Sequence, residues 1–146
     1  MIPVEREKYV VLVPPQIKND GAAARDSYVD TKGWGHLRVL IVTGVIDAAT
    51  TAAPALGECA TSGGSYDAIT DAALSAAIAN GDDDEIAAID VDLTNGTHLR
   101  YIQCLVTAGS GTTGTNLAVI GILSRPTSGA ISGAATAAGL TEVVSV

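Results

Sequence analysis

Phenylalanine is absent from these 146 residues, tryptophan occurs once and tyrosine four times. The 47% hydrophobic content overstates the core, because much of it is alanine and the 16 glycines add no side-chain area. At about 25 cal/mol per Å² of apolar surface buried, the chain is long enough for one domain but thinly stabilised for its length. A chain of this kind draws missing burial from neighbours. Cations are scarce too: eight Lys and Arg stand against 16 Asp and Glu, a formal charge of −8. Nucleic-acid binding needs a basic stripe to neutralise phosphates, so no nucleic-acid partner is expected. No run approaches 18 uninterrupted apolar residues, so no membrane span is expected either. The start, Met1-Ile2-Pro3-Val4-Glu5-Arg6, lacks the apolar stretch of a signal peptide, which leads to an expectation of synthesis in a cytoplasm. The two cysteines, Cys59 and Cys104, have no paired spacing and are expected as small reduced core residues.

The motifs of chemistry are missing as well. There is no Gly-x-Ser-x-Gly elbow, no Walker loop and no strand-then-helix dinucleotide fingerprint. The glycine-rich run 109–114 lacks the lysine of a phosphate cradle. Asp82-Asp83-Asp84-Glu85 is the densest charge cluster, but its carboxylates are consecutive, whereas a calcium loop alternates them around a glycine bend; a solvated turn is expected. His36 and His98 could share a metal only with further ligands, and no His-x-His or Cys-x-x-Cys accompanies them. No catalytic residue, metal or cofactor is expected. Trp34 with Tyr28 or Tyr101 could form a sugar-stacking platform, although a lone Trp in a small β domain is more often core or interface.

What is present is a repeat. Val29-Asp30 leads to His36-Leu37-Arg38, and Val91-Asp92 leads to His98-Leu99-Arg100 at the same offset, each running into an apolar stretch. Two copies of one strand–turn–strand unit point to a β architecture. Short β-prone runs separated by Gly, Asn, Thr and Pro predict an all-β, antiparallel sandwich. Residues 1–20 read as an N-terminal arm and edge strand, because Pro14-Pro15 cannot donate to a ladder and the run must stop there or lie at an edge. Residues 21–126 read as the sandwich body, and residues 127–146 as a flexible small-residue linker with a β-prone tail. Residues 39–42 are apolar at every position, which suits a strand covered on both faces. Residues 68–79, small and closed by Asn80-Gly81, fit a helical turn or two.

In the second repeat, a three-residue loop with Gly96 in the left-handed position predicts a hairpin. It sets Val91 opposite Leu99, Asp92 opposite His98 and Asp90 opposite Arg100, segregating the core and pairing opposite charges.

The segment Val29-Asp30-Thr31-Lys32-Gly33-Trp34, followed by Leu37-x-Val39, resembles one found in small head proteins of tailed bacteriophages, with the pattern Asp-Thr-x-Gly-aromatic and then an apolar strand. The Gly57-Glu58 strand, the Ala108-Gly109 turn and Ile120-Gly121-Ile122-Leu123-Ser124-Arg125 are similar to that group, which covers the chain from Tyr9 to Pro126. The family is that of the capsid cement, or decoration, proteins. The resemblance implies a jelly-roll-like sandwich on the virion surface, a homo-oligomer (a trimer favoured over a dimer) that binds the outside of the capsid and clamps neighbouring subunits of the major capsid protein after synthesis in the host cytoplasm. Candidate contacts are the arm residues Ile2, Val4, Arg6 and Lys8, then Trp34, and the tail residues Ile131, Leu140, Val143 and Val144. The alternative is a carbohydrate- or receptor-binding module of a virion spike, using Trp34 and the Gly/Thr loops. An isomerase or dioxygenase on a jelly roll ranks third, for want of ligands.

Overall fold

The computed structural model describes residues 7–20 and 23–127. They form nine strands: β1 (Lys8–Asp20), β2 (Ala23–Ala24), β3 (Val29–Asp30), β4 (Trp34–Ile46), β5 (Ala55–Cys59), β6 (Asp67–Ala73), β7 (Ile86–Asp92), β8 (Tyr101–Thr107) and β9 (Ser110–Pro126). One sheet has the order β1-β9-β4-β7; the other has the order β2-β8-β5-β6, with β3 also paired to β8. Every pairing is antiparallel. Because β2 and β3 both lie along β8, they act as one strand interrupted at residues 25–28, and two four-position sheets result. Apart from β5 and β6, which pair as neighbours in one sheet, sequential strands then alternate between sheets in the manner of a jelly roll. The all-β antiparallel sandwich read from the sequence is the fold of the described residues.

Period-two alternation builds the core. Along β4, Leu37, Val39 and Ile41 are buried while Arg38 faces out, and on β8 Ile102, Cys104 and Val106 are buried from the opposite sheet. Leu12, Val13, Leu56, Leu117, Val119 and Leu123 complete the interior. Cys59 and Cys104 are both free and buried, and burial pushes the Cys104 thiol up to about 12, so it stays protonated and inert.

Three local expectations are corrected, and one alternative is decided. At Pro14-Pro15 the strand lies at an edge rather than stopping: β1 runs on through a register shift between Val13 and Gln16, and as a sheet edge it loses no ladder bond by lacking two donors. Residues 67–73 are strand rather than helix, because Ile69 and Ala72 are buried against the sandwich beside β5. Residues 39–42 are not covered on both faces: Val39 and Ile41 are buried and Leu40 and Val42 point outward, half-buried.

The third correction concerns the repeat. β7 and β8 form no hairpin, since β7 lies beside β4 in one sheet and β8 beside β5 in the other. The chain between them crosses the sandwich, with Gly96 at φ 68° as its turn requires. The expected pairs Asp90–Arg100 and Asp92–His98 therefore do not form. Asp92 instead lies opposite His36, Val91 opposite Leu37 and Asp90 opposite Arg38. The predicted register holds, but on the other copy of His-Leu-Arg. In turn, β3 of the first repeat pairs with β8 of the second, but three residues further along, with Val29 opposite Ile102 and Asp30 opposite Tyr101 rather than Leu99 and His98. Each unit spans both sheets, and the two copies exchange partners.

Candidate interaction surfaces

The exchange is sealed by two matching ion pairs on the outside of the sandwich. Arg38 Nε and Nη2 donate to Asp90 Oδ1 and Oδ2 at 2.8 and 3.1 Å, and Arg100 donates through the same two nitrogens to Asp30 at 2.8 and 2.7 Å. Both forks are bidentate, and all four side chains are about half exposed, so they define partnership more than they stabilise. The Arg38 guanidinium holds the Asp90 carboxyl below the usual range, and Arg100 does the same for Asp30. A carboxyl lowered in the folded state contributes stability above its unfolded pKa and loses it as pH falls through the folded value. Stability is therefore expected to decline from about pH 5 downward. Asp30→Asn with Asp90→Asn should flatten that decline in urea titrations; an unchanged profile would show that the two forks are not the acid-sensitive contacts.

The histidines sit on opposite sides. His36, on β4, has Ser124 Oγ 3.1 Å from Nδ1 and Asp90 Oδ1 3.1 Å from Nε2. His98 lies just before β8, with Nδ1 3.1 Å from Glu58 Oε2, which also accepts the Leu99 N–H at 3.0 Å. Ser124, His36 and Asp90 line up as a nucleophilic relay does, yet they are cross-strand neighbours on an exposed sheet surface. The backbone amides there belong to the ladder rather than to an oxyanion hole. No three His, Cys, Asp or Glu among the described residues are grouped to hold a metal. In the acidic turn, Asp82 Oδ2 accepts the Ala79 N–H and Asp83 Oδ1 the Ile46 N–H, both at 2.7 Å, so these carboxylates hold a corner of the backbone.

Two faces stand out as surfaces. On the outside of the β1-β9-β4-β7 sheet, Val11, Ile120, Leu40 and Ala88 form one row across the four strands, and Ala118, Val42 and Ile86 form the next. Neither row carries a charge. Ile86 is 67% exposed and Val11 53%. The rows toward the other end are polar, with Arg38 opposite Asp90 and Ser124, His36 and Asp92 in line. The sequence signal for this face was the unbroken apolar run 39–42; its meaning depended on which side the fold covered.

The other sheet carries a tyrosine cluster. The Tyr28 and Tyr101 rings meet edge to face at 5.3 Å, and the Arg100 guanidinium lies 5.0 Å from the Tyr101 ring centre. Nearby, a depression of about 90 Å³ is walled by Tyr66, Arg25, Gln103 and Leu105 over a floor that includes Gly57. Trp34 is not part of this platform: it is partly buried against the core, and its backbone pairs with Pro126.

Of the candidate contacts read from the sequence, Lys8 is the first residue of β1, opposite Leu123. Ile2, Val4, Arg6, Ile131, Leu140, Val143 and Val144 lie outside the described residues. The described chain enters on β1 and leaves on β9, neighbouring strands, with Lys8 opposite Leu123 and Pro126 opposite Trp34. Both terminal segments thus attach at one end of one sheet. No helix among the described residues is long and apolar enough to cross a membrane.

No protein-family model and no curated protein matches the chain. Among solved structures it is similar to the crystal structure of the SPBc2 prophage-derived protein YomS, with 15% sequence identity and a TM-score of 0.46, over 82% of this chain and 93% of that one.

Proposed function

We propose that this protein is a structural component of a phage virion that binds the outside of the capsid as a homo-oligomer and bridges subunits of the major capsid protein. The observation that supports it best is the uncharged apolar face that the described residues leave partly exposed on one sheet, on a sandwich whose described polar clusters are tied to one another rather than converging on a ligand. Such a face is an interaction surface rather than a reaction site. The resemblance of residues 29–39 and 120–125 to capsid cement proteins supplies the partner. The mechanism is multivalent burial: each contact is modest, and effective concentration on a repeating lattice makes the sum strong. The terminal segments, attached side by side and carrying Ile2, Val4, Leu140, Val143 and Val144, are the proposed clamps on the capsid, with Arg6 and Lys8 as their cations.

The tyrosine cluster favours a second reading, a glycan- or receptor-binding module of a virion spike. A depression with an apolar floor beside Arg25 and Gln103 suits a sugar ring better than a flat sheet does. Copy number separates the two. Quantitative mass spectrometry of purified particles is expected to find this chain in numbers comparable to the major capsid protein. A spike-like count, together with binding on a glycan array, would displace the cement reading.

A further inference from the structure

We infer that the outer face of the β1-β9-β4-β7 sheet is a contact with a second copy of this chain. The inference rests on the reading that the protein works as an oligomer, and it assigns the surface and symmetry of that oligomer. β4 is apolar on both faces from Val39 to Val42, a pattern suited to a strand covered on both sides, yet among the described residues only the Val39 and Ile41 side is fully buried, and Leu40 and Val42 stay partly exposed.

Charge selects the occupant. The chain carries a formal charge of −8, so two copies repel across most of their surfaces. The rows through Val11, Leu40 and Ile120 and through Val42 and Ile86 contain no ionisable group, and the next row presents Arg38 already neutralised by Asp90. Over these two rows two acidic copies can approach without confronting carboxylate with carboxylate, with Glu7 beside Tyr9 and Asp84 beside Gly44 at the margins of the face. A basic partner would find little to attract it. A two-fold axis parallel to the strands lays apolar rows on apolar rows and keeps the His36 ends together, in the aligned packing of sheet on sheet. Such an isologous contact closes at two copies, whereas the trimer expected from the resemblance needs a heterologous one.

Size sets the strength. Four strands about 4.8 Å apart, with two apolar rows taking up about four residues of each, give an apolar face on the order of 250 Å², roughly a third of the ~800 Å² per partner of a standard interface. The pairing is therefore weak and reversible in free solution, as suits a protein whose assembly is completed on a lattice.

Sedimentation velocity of the full chain over a concentration series tests this. A mass of two copies is expected at high concentration, with a dissociation constant that falls as salt is added, because screening removes the repulsion between copies. Ile86→Lys and Val11→Lys, both at positions more than half exposed and so harmless to the fold, should each weaken pairing about tenfold or more. Thr70→Lys, the same charge change at an exposed position on the other sheet, should leave it unchanged. A monomer at every concentration, a mass of three copies, or face variants that pair as tightly as the parent would each overturn the proposal. So would tighter pairing after Val143→Asp with Val144→Asp, which would give the face to the chain's own tail. A monomer that still decorates particles would refute the pairing alone; a dimer that never binds particles would refute the capsid reading alone.

Discussion

Replacing Leu37 with alanine should cost about 3–5 kcal/mol of folding stability, while the same change at Leu99 should cost less than about 1 kcal/mol. The two leucines occupy the same position in identical His-Leu-Arg tripeptides. Leu37 is 0% exposed and lies between Val91 on β7 and Leu123 on β9. Truncating it removes buried apolar area and leaves a cavity at the centre of a sheet that packing on both sides keeps from collapsing. Leu99 is 41% exposed, in the crossing segment before β8. Urea denaturation of the two variants at one pH measures both costs. Similar losses would contradict the exchange of partners between repeats, since a local hairpin would bury the two positions alike.

Gly109→Ala and Gly114→Ala should each cost about 2–4 kcal/mol. Both flank the start of β9, where the loop after β4 is tied down: the Asp47 and Ala48 N–H groups donate to the Gly114 carbonyl at 2.9 and 3.1 Å, and Thr115 Oγ1 donates to the Ala48 carbonyl at 2.6 Å. A Cβ on Gly109 would overlap the Ala49 carbonyl oxygen, and one on Gly114 would overlap that of Lys18. Backbone atoms cannot swing aside as a flexible side chain can, so the corner itself must shift. Gly114 adds a second cost, because its φ of 65° is strained for any residue with a Cβ. Gly63, with nothing within 4 Å of an added Cβ, is the control and should tolerate alanine within about 0.5 kcal/mol. Equal midpoints for Gly114→Ala and Gly63→Ala would show that the corner yields more easily than its contacts indicate.

The pairing of the two repeats bears on what kind of surface the protein presents. Each unit contributes a strand to each sheet, so apart from the β5-β6 hairpin the sandwich is bound together by non-local pairs. Contacts such as Asp30–Arg100 join residues 70 positions apart. Topologies of this kind fold slowly, because loop closure precedes the reward of pairing. They also leave sheet faces and edges open until the last strands arrive, and among the described residues the outer face of the β1-β9-β4-β7 sheet keeps exposed apolar side chains at Val11 and Ile86.

Sequence by itself determined the class of the fold, the alternation along β4 and β8, the buried reduced cysteines, the left-handed glycine at position 96 and even the side-chain code by which Asp92, Val91 and Asp90 meet His, Leu and Arg. These depend on local geometry: a period of two, a missing Cβ, a match of size and charge between facing residues. The tertiary structure alone decided which copy of His-Leu-Arg answers that code. Two identical tripeptides offer the same pairing energy, and the choice falls to crossover and packing between sheets, which no short window contains. The same holds for residues 67–73, where burial of Ile69 and Ala72 beside β5 outweighs a weak local preference for helix. It holds too for the candidate interface. An apolar run shows that a strand seeks cover on both sides, but only the three-dimensional arrangement reveals that, among the described residues, Leu40 and Val42 are covered in part and Ile86 is left exposed, because burial is a property of neighbours that the sequence does not place.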